Sequence, residues 1–130
     1  MNTDTMVLVF GSNLAGVHGA GAARFALDRR GAVWGIPEGP MNQSYAIHTK
    51  DRFIKRLLPY ATIQEAVRRF CVHADNHPME QFQITQIGCG LAGGDPRIIA
   101  PMFKDAPRRN CFIDSAWAEY LPNHLYWGTL

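Results

Sequence analysis

The chain has 130 residues, of which 47% are hydrophobic, enough for one domain with a single core. Thirteen Lys and Arg against eleven Asp and Glu give a formal charge of +2, too small by itself to imply a nucleic-acid partner. Three cysteines without a Cys-x-x-Cys pair argue against a disulfide framework or a structural zinc site. No basic leader or membrane-length apolar run is visible, so a soluble, cytoplasmic domain with no membrane partner is expected.

Met6 to Phe10 is a short apolar run of the kind that forms a strand buried on both faces. A glycine-rich loop follows, from Gly11 to Gly21, and Ala20 to Arg30 then reads as a helix stopped by Gly31. Ala32 to Gly35 gives a second, short strand, Pro37 to Pro40 a turn, and Ser44 to Thr49 a third strand. Lys50 to Arg56 puts four cations and one acid in seven residues. That run suits a solvated loop or, alternatively, a rim that attracts phosphates.

Thr62 and Glu65 have capping-box spacing, and Ile63, Ala66, Val67, Phe70, Cys71 and Ala74 form one stripe of an amphipathic helix. His73 and His77 share i, i+4 spacing, but no acid stands in ligand register and no metal site is expected. Phe82 to Ile87 reads as a strand, and Gly88-Cys89-Gly90-Leu91-Ala92-Gly93-Gly94 is a second glycine-rich loop. Asp95-Pro96 then reads as the N-cap and first residue of a helix that Pro101 must shorten or kink. Cys111 to Ile113 is the last core strand. The core thus spans about 6–113, and the aromatic tail 114–130 is expected to pack on the body or on a partner.

Strands alternating with helices imply an α/β fold with a mostly parallel central sheet covered on both faces, in which ligands sit at the carboxyl ends of the strands. Both glycine loops and Lys50 fall at that end. Their bare backbone N–H groups suit a diphosphate. Gly19-Ala20-Gly21 matches a dinucleotide fingerprint only in part, because Arg24 stands at the third glycine position, although Glu38 occupies a place where a ribose-binding acid could sit. His18 lies between the glycines of the first loop and is a candidate ligand contact. Cys89 is a nucleophile only if its thiolate is stabilised. Lys50 is either an exposed lysine or an amine near the ligand's sugar, where Arg52, Lys55 and Arg56 would favour its free-base form. Asp95 is either a helix cap or a carboxylate able to polarise water.

Taken together, these motifs resemble the macrodomain family, whose members bind ADP-ribose on a three-layer α/β/α fold. Val9-Phe10-Gly11-Ser12-Asn13-Leu14 is similar to the family's strand and Asn-containing loop beside the distal ribose. Gly19-Ala20-Gly21-Ala22-Ala23 with Phe25 is similar to the segment opening the following helix. Ile87-Gly88-Cys89-Gly90-Leu91 and Tyr45-Ala46-Ile47-His48-Thr49-Lys50 resemble the diphosphate loop and the lysine-bearing strand of one branch. That branch holds the terminal ADP-ribose glycohydrolase and the antitoxins that remove ADP-ribose from DNA. Similar small proteins occur in phage and bacterial genomes.

The resemblance implies binding of ADP-ribose or a related nucleotide diphosphate, with no cofactor. Asn13, His18, Gly19, Gly21, Gly88, Cys89, Gly90 and Leu91 would contact the ligand. By that resemblance Lys50 would be the catalytic lysine for hydrolysis of ADP-ribosyl linkages on DNA or protein, and Asp95, three residues beyond the position of the family's acid, is the candidate acid–base partner. The alternatives are a non-catalytic sensor or sequestering module for a nucleotide signal, and a protein acting on a host partner through its aromatic tail. Two departures bear on the choice. Ala92 stands where the terminal glycohydrolase has its catalytic aspartate, and the family's adenine-contacting aspartate, which precedes the first matching strand, has no counterpart here. An open adenine pocket or a smaller ligand is therefore expected.

Overall fold

The computed structural model describes all residues, 1–130. Six strands form one sheet: β1 (Val7–Asn13), β2 (Gly39–Met41), β3 (Ser44–Lys50), β4 (Phe82–Ile84), β5 (Cys111–Asp114) and β6 (Leu125–Gly128). The spatial order is β2-β3-β1-β4-β5-β6, and only the β2–β3 pair is antiparallel. Helix α1 (Gly21–Arg29) packs on one face of the sheet. Helix α2 (Tyr60–Asp75) packs on the other with the four-residue α3 (Pro96–Ile99), and a 3-10 turn over Ala100–Phe103 continues α3.

This is a three-layer α/β/α domain, and β1 shows how its sequence makes it so. Side chains alternate across a strand. Val7 and Val9 therefore join a core of 20 buried residues under α2, while Leu8 and Phe10 join a core of six under α1. β3 divides the same way, with Tyr45 and Ile47 on the α2 side and Ala46 on the α1 side. Ile63, Ala66, Val67, Phe70 and Ala74 of the α2 stripe are buried, whereas Cys71 is only half-buried at its edge. Burial of the larger of these side chains stabilises the fold by about 1.5–3 kcal/mol each.

Four local expectations change. The α2 capping box does not form: Pro59 is the N-cap, and its fixed φ of −52° starts the helix two residues before Thr62. Ala32–Gly35 is a turn rather than a strand, because Gly31 (φ 72°) and Gly35 (φ 93°) leave the extended region on either side of Val33 and Trp34. The paired segment lies a few residues later, in β2, where Pro40 sits on an edge strand that tolerates a missing donor. β4 is shorter than its apolar run, ending at Ile84.

The aromatic tail enters the sheet. β6 pairs in parallel with β5, Trp127 Nε1 donates to the Ile84 carbonyl at 2.9 Å, and Tyr126 Oη donates to the Leu121 carbonyl at 2.7 Å. Trp117 lies buried beneath it in the larger core. No helix is long and apolar enough to cross a membrane.

Candidate functional site

A cleft of about 390 Å³ opens at the carboxyl ends of β1, β3, β4 and β5, a volume within the range of small-molecule sites. Its position follows from the topology, since neighbouring parallel strands with their crossovers on opposite faces leave a crevice beyond their carboxyl ends.

One wall is the N-terminus of α1. Its N-cap, Ala20, offers no side-chain cap, and no acid lies in the first turn. The N–H groups of Gly21, Ala22 and Ala23 donate to no acceptor within the protein, so the positive end of the helix dipole faces the cleft uncovered. The loop leading there is built by Asn13. Its Oδ1 accepts from the N–H groups of Ala15 and Val17, and its Nδ2 donates to the Val17 carbonyl at 2.8 Å. Asn13 lines the cleft, but its amide is largely occupied in shaping this loop.

The opposite wall is the loop after β4. The Gly94 N–H donates to the Gly88 carbonyl at 2.7 Å and closes it, and the Gly93 N–H donates to the Gly90 carbonyl inside it. Closure needs glycine at two places. Gly88 has φ 74°, and a Cβ on Gly94 would collide with the Gly88 carbonyl. Within the closed loop the N–H groups of Gly90, Leu91 and Ala92 have no partner in the protein, and nothing lies within 4 Å of where a Gly90 Cβ would project. The walls approach closely, with Leu91 Cδ1 3.8 Å from the Cβ position of Gly21. Two groups of unpartnered N–H donors thus border one cleft, a concave surface suited to an extended anion.

The floor carries polar side chains. Thr49 Oγ1 donates to the Ser12 carbonyl at 3.1 Å and Thr85 Oγ1 to the Val9 carbonyl at 2.7 Å, tying the strand ends together. Lys50, the last residue of β3, lines the cleft and makes no ion pair, while its carbonyl accepts from the Leu14 N–H. The basic run beyond it is an exposed loop at the rim, with Ile54 on the cleft wall at φ 60°. Asp51 turns inward, accepting from the Lys55 N–H at 2.9 Å; backbone hydrogen bonds, that one foremost, hold its carboxyl below the usual range. Arg52, Lys55 and Arg56 are left without acidic partners.

The structure brings together Asn13, Gly19, Gly21, Lys50, Gly88, Gly90 and Leu91 around the cleft. His18, Cys89 and Asp95 lie off it. His18 is fully buried, edge-on to Phe10 at 5.2 Å, and its Nε2 bonds the Val33 carbonyl at 2.9 Å, so it braces the first loop from behind. Asp95 caps α3, accepting from the Arg97 N–H at 2.9 Å and pairing with the Arg97 guanidinium at 3.1 Å. Those contacts hold its carboxyl below the usual range. Glu38 is also remote from the cleft, paired with Arg69 at 2.6 Å and facing His48 at 3.7 Å.

Cys89 is half-buried against the larger core, and burial, reinforced by the charge of Asp95, pushes its thiol up to about 11. Alkylation of Cys89 by iodoacetamide at neutral pH is expected to run more than about tenfold slower than that of free cysteine, because the thiolate is the reactive form. Mass spectrometry of the labelled peptide checks this; a rate equal to free cysteine would restore Cys89 as a nucleophile.

Asp114, which the sequence alone did not single out, also lines the cleft. It is the only acidic side chain on the cleft wall and is buried, with Oδ1 accepting from the Ala116 N–H at 2.9 Å and Oδ2 facing Gln86 and Thr129. Its signal was the one that marked Lys50, a charged residue at the carboxyl end of a core strand.

No family model matches the sequence, and no curated protein sequence matches it. Among solved structures, Thermosipho africanus DarTG in complex with ADP-ribose aligns with 83% of this chain at 17% identity and a TM-score of 0.57. This chain spans 37% of the length of that one. A protein of unknown function from Bacteroides thetaiotaomicron aligns with 83% of this chain and 87% of its own, at 17% identity and a TM-score of 0.49. The chain therefore bears a remote resemblance, at the level of the fold, to a protein solved in complex with ADP-ribose.

Proposed function

We propose that the protein binds ADP-ribose or a related nucleoside diphosphate in the cleft between its two glycine loops. The observation that carries this reading is the pair of unpartnered N–H clusters, Gly21–Ala23 and Gly90–Ala92, bordering one cleft. Each would hold one phosphate by charge-assisted hydrogen bonds, with the α1 dipole adding to the first. The fold's likeness to an ADP-ribose complex supports the same ligand class. Hydrolysis of an ADP-ribosyl linkage on DNA or protein would use Lys50 either to polarise the linkage for attack by water or as an amine that attacks the anomeric carbon and expels the linked DNA or protein group, after which water releases ADP-ribose and restores the amine. Asp95 does not share that task, since Arg97 occupies it away from the cleft. An acid–base step beside Lys50 draws on Asp114 or on water.

The second reading, a binding module without turnover, is favoured by a specific observation: residue 92, on the cleft wall, is alanine. Both readings require the ligand, so ligand binding is tested first. ADP-ribose is expected to raise the melting temperature, by linkage about 2.7 kcal/mol of stabilisation at a hundred times Kd. AMP, which carries one phosphate, is expected to do little. No shift at millimolar ADP-ribose would remove the ligand assignment, and an equal response to AMP would transfer it to a mononucleotide.

A further inference from the structure

A second cluster lies at the opposite end of the sheet. His73 is in the last turn of α2, His77 follows the helix's C-cap, and Glu80 ends the turn that leads into β4. The Glu80 N–H donates to the His77 carbonyl at 3.1 Å, and that turn folds the acid back towards the histidines, which their sequence register did not reveal. One ligand-type atom from each residue lies within 4.8 Å of the other two.

We propose that His73, His77 and Glu80 form a site for one divalent transition-metal ion of the zinc class. Two imidazoles and a carboxylate are a donor set such ions accept, and three protein ligands leave a fourth position for water. The tautomer of His77 is already set for it. Nδ1 lies 2.6 Å from the His73 carbonyl, which can only accept, so Nδ1 carries the proton and Nε2 keeps a lone pair. A backbone carbonyl holding the far nitrogen in this way is the usual support of a metal-bound histidine.

His73 is fixed by packing, its ring 5.0 Å from Tyr45, edge-on to Phe82 at 5.8 Å and stacked on His77 at 4.0 Å. Asn110 pins the backbone beneath, donating from Nδ2 to the carbonyls of Ala74 and His77. His73 Nε2 and Glu80 Oε2 stand 4.0 Å apart, too far for a hydrogen bond. Ligands of one tetrahedral ion stand about 3.4 Å apart, given metal–ligand bonds of about 2.0–2.2 Å. Rotation of the exposed Glu80 side chain closes that difference, and the exposed His77 ring, stacked at 22° to His73, must also tilt about its Nδ1–H bond for the two lone pairs to converge on one ion.

The role is structural. The cluster adjoins the start of β4, which pairs with the start of β1, whereas the cleft lies at the far end of β1, roughly 20 Å away at about 3.3 Å per residue. An ion there would clip the end of α2 to the turn entering β4.

The test uses full-length, tag-free protein stripped with chelator and titrated with zinc chloride at neutral pH by calorimetry, with thermal melts in parallel. The wild type is expected to take up one equivalent and to melt about 5 °C or more higher at saturation. His77→Ala, at an exposed position that leaves the core intact, is expected to lose at least tenfold in zinc affinity, and Glu80→Gln to weaken binding as well. Absence of zinc uptake by the wild type, or parental affinity in His77→Ala, would overturn the proposal. Both outcomes are independent of the response to ADP-ribose.

Discussion

Gly90→Val is expected to abolish ADP-ribose binding while the protein stays folded. The Gly90 N–H is unpartnered, and the space where a side chain would project is open. Gly90 is not among the glycines with positive φ, so valine meets neither a backbone penalty nor a steric clash in the free protein. The stability change should stay within about 0.5 kcal/mol. In the complex the isopropyl group stands where a phosphate must approach the loop N–H groups, so the affinity loss should reach at least a hundredfold, or about 2.7 kcal/mol. Calorimetric titration with ADP-ribose, alongside a thermal melt, separates the two effects. The contrasting variant is Gly94→Ala, whose methyl is driven against the Gly88 carbonyl and Ile99. It should lower stability by about 1–3 kcal/mol and lose binding through the loop. Parental affinity in Gly90→Val would place the phosphate site elsewhere.

Lys50→Ala is expected to separate binding from turnover. The lysine ends β3, lines the cleft and is tied to no acid, so its removal leaves the N–H clusters on both walls untouched. ADP-ribose affinity should change by less than about tenfold, or 1.4 kcal/mol. Release of ADP-ribose from ADP-ribosylated DNA or protein should fall to background, because no other amine lines the cleft. Chromatographic quantification of free ADP-ribose from each substrate measures this. If the wild type itself releases none from DNA-linked or carboxylate-linked substrates, the protein is a binding module and Lys50 serves as a phosphate contact.

Much of the architecture was legible because it depends on patterns local in the chain. The apolar run at Met6–Phe10, the α2 stripe and the glycine-bounded loops each signal their element within a few residues, and alternation along β1 and β3 requires cover on both faces. Where a candidate side chain lies off the cleft, its hydrogen-bond partner decided, near in the chain for Asp95 and far from it for His18. Asp95 had a carboxylate in a plausible position, but Arg97 and the α3 backbone took both its oxygens. His18 sat between glycines that face the cleft, yet its ring turned inward to Phe10 and the Val33 carbonyl, a partner 15 residues away.

By itself the sequence determined the parallel α/β layering, the two glycine loops at strand ends and the placement of Lys50 beside them, since periodicity, turn chemistry and chain order suffice for these. Only the tertiary structure decided that Asp114 joins the cleft, that the aromatic tail becomes an edge strand, and that Glu80 returns to His73 and His77. Each of these depends on where a crossover or turn delivers a side chain in space, and separation along the chain does not encode that distance.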